Sequence, residues 1–385
     1  MSANHLRAAL ERLKQAGLYR RRRVIDAAQG VTVCIGGQQL LNFCSNDYLG
    51  LASHVDVLTA FKQAADEYGV GSGAAHLVCG HAYEHHALEQ ELADFTGRER
   101  ALLFSTGYMA NLGVIAALMD KNGVIYADKL NHASLLDGVL LSGARLKRYV
   151  HNDLDNLQLK MHQVQGRRAM IATDGVFSMD GDVAHLQQLA VLAQSHSCDL
   201  LVDDAHGFGV LGRTGAGLVE QCQLSQQQVP ILIGTFGKAF GTSGAFVAGS
   251  DALIETLIQK ARTYIYTTAL PPAIAAATRA SLRLIQEQSW RREKLAELIA
   301  YFREGAQQLG LNLMPSASAI QPIVLGGSQA ATQASEYLLQ QGIWVSAIRP
   351  PTVPQGGARL RITFSALHER QHVDRLLDAL EGMPV

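Results

Sequence analysis

Short apolar runs, each closed by a polar or glycine-bearing turn, alternate with helical stretches along the middle of this chain. From about residue 85 the helical stretch HHALEQELADFTG leads into ALLFS, a glycine turn and the apolar helix MANLGVIAALMD. GVIYAD, RAMIATDG, CDLLVDDAHG, VPILIGTFG and GAFVAGS follow, with helical stretches such as DVAHLQQLAVLAQSH between several of them. Strands alternating with helices in this way predict an α/β fold built on a mostly parallel sheet.

The order changes after Pro271-Pro272. A long helix, WRREKLAELIAYFREGAQQLG, is followed by strand AIQPIVLG, helix ATQASEYLLQQG, strand IWVSAIRP, strand ARLRITFS and helix RQHVDRLLDALEGM. This reads as a small α+β unit. The expected organisation is an N-terminal helical segment over 1–45, a large domain over 46–285 and a small C-terminal α+β domain over 286–385. A chain of 385 residues with 48% hydrophobic content can bury cores for both.

The balance of charge, −1 overall, gives no sign of a nucleic-acid binder. The N-terminal HLRAALERLKQAGLYRRRR is amphipathic and charged and lacks the apolar centre of a signal peptide. No run of about 20 apolar residues occurs, so no membrane span is expected. The five cysteines form no CxxC pair and are odd in number, which suits a reducing compartment. The expectation is a cytoplasmic enzyme of small molecules. The run Arg20-Arg21-Arg22-Arg23 reads either as a solvated helix end or as a contact for an anionic substrate.

In open α/β sheets ligands bind beyond the carboxyl ends of the strands, so the residues after each apolar run matter most. Ser105-Thr106-Gly107-Tyr108 follows ALLF and opens a helix, where free backbone N–H groups favour a phosphate. Asp203, Asp204, Ala205 and His206 follow CDLLV. Gly234, Thr235, Phe236, Gly237, Lys238, Ala239, Phe240 and Gly241 follow VPILI. A lone lysine in a glycine turn is ordinarily a surface residue, an aspartate before a helix ordinarily a cap, and an isolated histidine ordinarily part of the core. Here apolar neighbours and a buried strand would partly desolvate the lysine and lower its pKa. An amine, a carboxylate, a ring donor and a phosphate cradle together are what pyridoxal phosphate requires. Other motifs fail. Gly69, Gly71 and Gly73 do not make GxGxxG, and GTFGKAF lacks the first glycine of a P-loop and the hydroxyl residue after its lysine. His81, His85 and His86 with Glu84 lack HExxH spacing and read as a polar helix face, so no metal is expected.

SNDYLGL, NHASLLDG, DGVFSMDGD, DDAHGFGVLG, TFGKAFG and IRPPTVP, in that order along the chain, resemble the α-oxoamine synthases, pyridoxal-phosphate-dependent transferases of fold type I. The likeness runs from about residue 20 to 380. It implies that Lys238 carries the cofactor through an imine, that Asp203 pairs with its ring nitrogen and that His206 and Ser178 lie at its ring oxygen. His132 would stack on the ring. Gly107, Tyr108 and Thr235 would meet the phosphate. Asn46, Arg349 and Thr352 would face the substrates, as would His132, with Arg361 a further carboxylate partner and Arg20 the arginine after Leu-Tyr. The implied catalytic residues are Lys238, His132, Asp203 and His206. The implied reaction joins an amino acid, L-alanine, to a pimeloyl thioester carried by coenzyme A or an acyl-carrier protein. Glycine with acetyl-CoA, or a non-catalytic relative, is the alternative. A homodimer is also implied. SGAAHLVCG departs from the family's usual glycine-serine-arginine pattern, so residues 72–80 are given no role.

Overall fold

The computed structural model of the protein describes residues 3–15, 18–20, 22–163 and 166–383. The chain divides into two compact units. The larger comprises Leu49–Ser178 with Val183–Arg292, and the smaller joins Met1–Tyr48, Met179–Asp182 and Glu293–Val385.

The segment 1–45 is not helical throughout. After helix Ala3–Gln15 it forms a hairpin, β1 (Thr32–Ile35) and β2 (Gln38–Asn42). Gly36 and Gly37 sit at φ +58° and +79° in the two-residue turn, a conformation side chains resist and glycine adopts freely. Arg20 and Arg22 lie beyond the helix end and are exposed, which removes the reading of the arginine run as a helix terminus; Arg21 lies outside the described residues.

The larger unit is built on seven strands: β3 (Arg100–Phe104), β4 (Val124–Asp128), β5 (Arg145–Tyr149), β6 (Ala169–Asp174), β7 (Asp199–Asp203), β8 (Ile231–Thr235) and β9 (Ala245–Gly249). Their order is β3-β9-β8-β7-β6-β4-β5. All neighbours are parallel except the pairs made by β9, which runs against both β3 and β8. Side chains along each strand alternate between two cores. Ile125, Met170, Ala172, Leu201, Ile231 and Ile233 meet helices Gly107–Leu118, Ala133–Ser142 and Asp251–Lys260 on one face. Val124, Tyr126, Ile171, Leu200, Val202 and Leu232 meet Leu154–His162 and Leu186–Ser195 on the other. Both faces are thus dry, as parallel sheets require, and the apolar alternation fixes the register. The polar edge strand β5, RLKRY, carries no apolar run and escapes the sequence pattern. The expected boundary near residue 285 falls inside helix Pro272–Glu287, which buries Ala273, Ala277, Ala280 and Leu284; the division between units comes at Arg292/Glu293.

In the smaller unit β10 (Ile320–Gly326), β11 (Ile343–Trp344), β12 (Ser346–Ile348) and β13 (Ala358–Thr363) form two sheets. IWVSAIRP, expected as one strand, splits. Its first half, β11, runs parallel to β2, and its second, β12, pairs antiparallel with β13, which also pairs with β10. Phe43 stacks on His368 at 4.3 Å and meets Phe364 edge-on, tying the hairpin to the end of β13. The five cysteines are free thiols, and among the described residues no helix is long and apolar enough to cross a membrane.

One buried acid makes stability depend on pH. Asp204, directly after β7, is fully buried, and its Oδ2 accepts the Leu218 N–H at 2.5 Å. Gly207 and Gly217 make room for it: a Cβ there would stand 2.2 and 2.0 Å from its carboxyl oxygens. Burial pushes its pKa up to about 8. In the unfolded chain it titrates near ~3.9. Between these values the folded state holds a proton that the unfolded state has lost, so stability falls as pH rises from about 4 to about 8. The melting temperature should drop across that window, and Asp204→Asn should flatten the drop. An unchanged slope in the variant would remove Asp204 as its source.

Candidate active site

The carboxyl edge of the large sheet gathers the predicted cofactor residues. Gly107 and Tyr108 follow β3, His132 follows β4, Ser178 follows β6, Asp203 ends β7 with His206 just beyond, and Thr235 ends β8 with Lys238 three residues on. All lie in the larger unit.

Asp203 is 6% exposed and held at both oxygens. Oδ2 accepts Asn111 Nδ2 at 2.6 Å, and Oδ1 accepts the Ala205 N–H at 3.1 Å. Asn111 lies in helix Gly107–Leu118 and is itself buried. Its amide nitrogen also donates to Ser134 Oγ at 2.8 Å, and that hydroxyl sits 2.7 Å from His132 Nδ1. The Ser134 N–H reaches the same Nδ1 at 3.3 Å, capping helix Ala133–Ser142. With Nδ1 accepting, the His132 proton belongs on Nε2. Crowding by protein atoms lowers the His132 pKa; the Asp203 charge opposes that and the nearby Lys238 ammonium adds to it, so the ring is neutral.

Asp174, at the end of β6, accepts the His132 N–H at 2.7 Å. Burial first, and the Asp203 charge second, hold its carboxyl well above the usual carboxylate range, while Lys238 pulls it down.

Lys238 is partly buried in a turn pinned on both sides. Phe236, Ala239 and Phe240 are buried, and backbone bonds Phe236 N–Gly244 O, Thr242 N–Phe236 O and Gly241 N–Lys238 O each measure 2.9 Å. Gly241, at φ +67°, lies so close to Ala52 that a Cβ would stand 2.3 Å from its nitrogen. Thr235 Oγ1 donates to Gly244 O at 3.0 Å and stands 3.8 Å from where a Gly107 Cβ would be, so the start of helix Gly107–Leu118 and the Thr235 hydroxyl adjoin. Thr106 caps that helix by accepting the Met109 N–H, and the remaining first-turn N–H groups are anion donors. Tyr108 turns its hydroxyl to Asp137, and its ring meets His132 edge-on at 6.4 Å. An amine, a twice-held buried carboxylate, a neutral imidazole and a helix start beside a threonine fit the donor set of pyridoxal phosphate.

The remaining candidates lie in the smaller unit. Arg361 Nη2 donates to Asn46 Oδ1 at 3.2 Å, which also takes the Tyr48 hydroxyl at 3.1 Å. Arg349 lines a cavity of about 270 Å³ with Arg23, Thr332, Glu336 and Ser346 and donates to Thr332 at 3.4 Å. Thr352 is exposed and follows the cis Pro350–Pro351 bond. Arg20 is exposed and lines no part of that cavity. Asn111, Ser134 and Asp174 were not singled out from the sequence. A lone asparagine inside the apolar MANLGVIAALMD was the available signal.

This fold and edge define a class. Residues 38–380 match the family of class I and II aminotransferases, and the chain belongs to it. Within that class it is 58% identical to the 8-amino-7-oxononanoate synthase of Saccharophagus degradans, over 98% of this chain and 96% of the relative. Among solved structures, a serine palmitoyltransferase from S. paucimobilis with a bound PLP–myriocin aldimine superposes with a TM-score of 0.93 at 30% identity, covering 98% and 96% of the two chains. The 8-amino-7-oxononanoate synthase of Francisella tularensis gives 0.79 at 35% identity, covering 89% and 97%.

Proposed function

We propose that the chain catalyses the decarboxylative condensation of L-alanine with a pimeloyl thioester, releasing 8-amino-7-oxononanoate, carbon dioxide and the free thiol. It is a pyridoxal-phosphate-dependent acyltransferase with a role in biotin biosynthesis. The observation that carries the finer reading is the convergence of Lys238, Asp203 and His132 at one sheet edge in a chain 58% identical to a named synthase of this product.

Bound there, pyridoxal phosphate supplies a ring that withdraws electrons from the amino-acid α-carbon. Lys238 Nζ tethers it, and once released takes the α-proton. Asp203, fixed by Asn111 and Ala205, keeps the ring nitrogen protonated. His132, fixed by Ser134, presents a neutral face that holds the ring plane. His206 and Ser178 donate at the ring oxygen, and Gly107, Tyr108 and Thr235 take the phosphate. Asn46, Arg349, Thr352, Arg361 and Arg20 serve the carboxylates and the acyl chain. The working form is a homodimer, and the thiol belongs to coenzyme A or an acyl-carrier protein.

A thiol-release assay across alanine, glycine and serine against pimeloyl and shorter thioesters tests this. Alanine with the pimeloyl thioester should give the highest kcat/KM. Preference for glycine with acetyl-CoA would overturn the substrate assignment and leave the class intact.

The Asn111 bridge gives a further prediction. Asn111→Ala removes the donor shared by Asp203 and Ser134, and stability should fall by about 1–3 kcal/mol from the buried acceptors left behind. Turnover should fall with KM for alanine little changed, because the loss is in ring orientation rather than substrate contact. Thermal melts and steady-state kinetics measure both. A variant matching the native protein in kcat would deny the bridge any part in positioning.

A further inference from the structure

The histidine-rich stretch at 76–89 is assembled differently from its sequence pattern. Glu84 accepts Arg279 Nη1 at 2.8 Å and is committed to that pair. His85 is fully buried with both ring nitrogens engaged, Nδ1 by the Ala82 N–H at 3.0 Å and Nε2 by Leu270 O at 2.5 Å. Two members of the apparent cluster are therefore structural. In their place His81, His86 and Glu89 offer one ligand atom each, all within 4.8 Å of one another. His86 and Glu89 are three apart on helix Tyr83–Thr96 and so share a face.

We infer that His81, His86 and Glu89 form a surface site for a divalent transition-metal ion, distinct from the active site and of two-histidine, one-carboxylate type. The second layer of contacts is already in place. His81 Nδ1 and His76 Nδ1 lie 2.9 Å apart, and the His76 ring stacks on Tyr264 at 5.1 Å. With His81 Nδ1–H donating to His76, Nε2 keeps its lone pair, as in a metal-bound histidine held by its other nitrogen. Glu89 Oε1 is fixed by the Leu103 N–H at 2.9 Å, leaving Oε2 on the histidine side. His81 Nε2 and Glu89 Oε2 are 4.0 Å apart, too far for a hydrogen bond and wide enough for an ion with bonds of about 2.0–2.2 Å. Metal binding takes the imidazoles as free bases and Glu89 as carboxylate. His81 and His86 are exposed in the single chain.

Titration of chelator-treated, cofactor-loaded protein with Co²⁺, followed by its visible d–d absorption, tests the site. One equivalent of Co²⁺ should bind per chain. His86→Ala and Glu89→Gln should each weaken binding at least about tenfold, and His76→Phe, which removes the support of His81, should weaken it by a similar factor. His196→Ala, at the separate His162–His196 ring pair, should bind like the native chain. The proposal fails if native protein takes up no stoichiometric Co²⁺, or if His86→Ala and Glu89→Gln bind it unchanged. Because the readout is metal absorption and the variants lie outside the active site, the result is independent of the substrate assignment.

Discussion

Replacing Lys238 with alanine is expected to reduce turnover by at least about 10⁴-fold, because one side chain is asked both to tether the cofactor and to take the α-proton. The turn that carries it is fixed without it. Phe236 and Phe240 are buried, and three backbone bonds of 2.9 Å close the loop around them. The variant should therefore fold and melt like the native protein. It should also lose the visible absorbance that distinguishes a lysine-bound cofactor of this type from the free one. Lys238→Arg sharpens the test: the guanidinium keeps the positive charge that acts on His132 and Asp174 but cannot be deprotonated to serve as base or tether. Equal loss in both variants means the amine does chemistry. Retention of turnover in Lys238→Arg would reduce position 238 to a source of charge, and retention in Lys238→Ala would remove it from the mechanism.

What the sequence disclosed follows from how each feature is encoded. β3, β4, β6, β7, β8 and β9 are buried on both faces, so they are written as apolar runs and could be read directly. β5 sits at the sheet edge and is written as RLKRY; nothing local distinguishes it from a turn. β2 owes its partner β11 to a contact some 300 residues away in sequence, which no local pattern carries. The active-site residues were legible because strand ends are where an α/β sheet exposes function. Their supports were not. Asn111, Ser134 and Asp174 matter through what they hold, and that depends on the β3, β4, β6 and β7 edges meeting in space. The sequence reads His81, His85, His86 and Glu84 as a polar helix face without metal spacing; the tertiary contacts of His85 with Leu270 and of Glu84 with Arg279 leave no local signal.

Asp203→Asn is the second large effect expected, and it separates charge from shape. The amide fits the volume of the carboxylate, but its oxygen can accept only one of Asn111 Nδ2 and the Ala205 N–H, so one buried donor loses its acceptor and stability should fall by about 1–3 kcal/mol. What disappears is the negative charge that keeps the cofactor's ring nitrogen protonated. Turnover should fall by about 10²–10⁴-fold, within the range of a lost proton-transfer or charge-stabilising group. The cofactor should remain bound, because Lys238 and the helix start after β3 are untouched. The neighbours report the same loss independently. The Asp203 charge raises both the His132 and the Asp174 pKa, so in the variant both should shift downward. For Asp174 this moves toward the ordinary carboxylate range, and for His132 further below the ordinary imidazole value. Carboxyl and imidazole titrations by NMR would register those shifts whether or not the enzyme turns over. A variant with shifted neighbours and native kcat would show that Asp203 sets the local field without serving the ring. Reduced kcat with unshifted neighbours would place its effect in geometry, since the charge is the only link between Asp203 and Asp174 that the substitution removes.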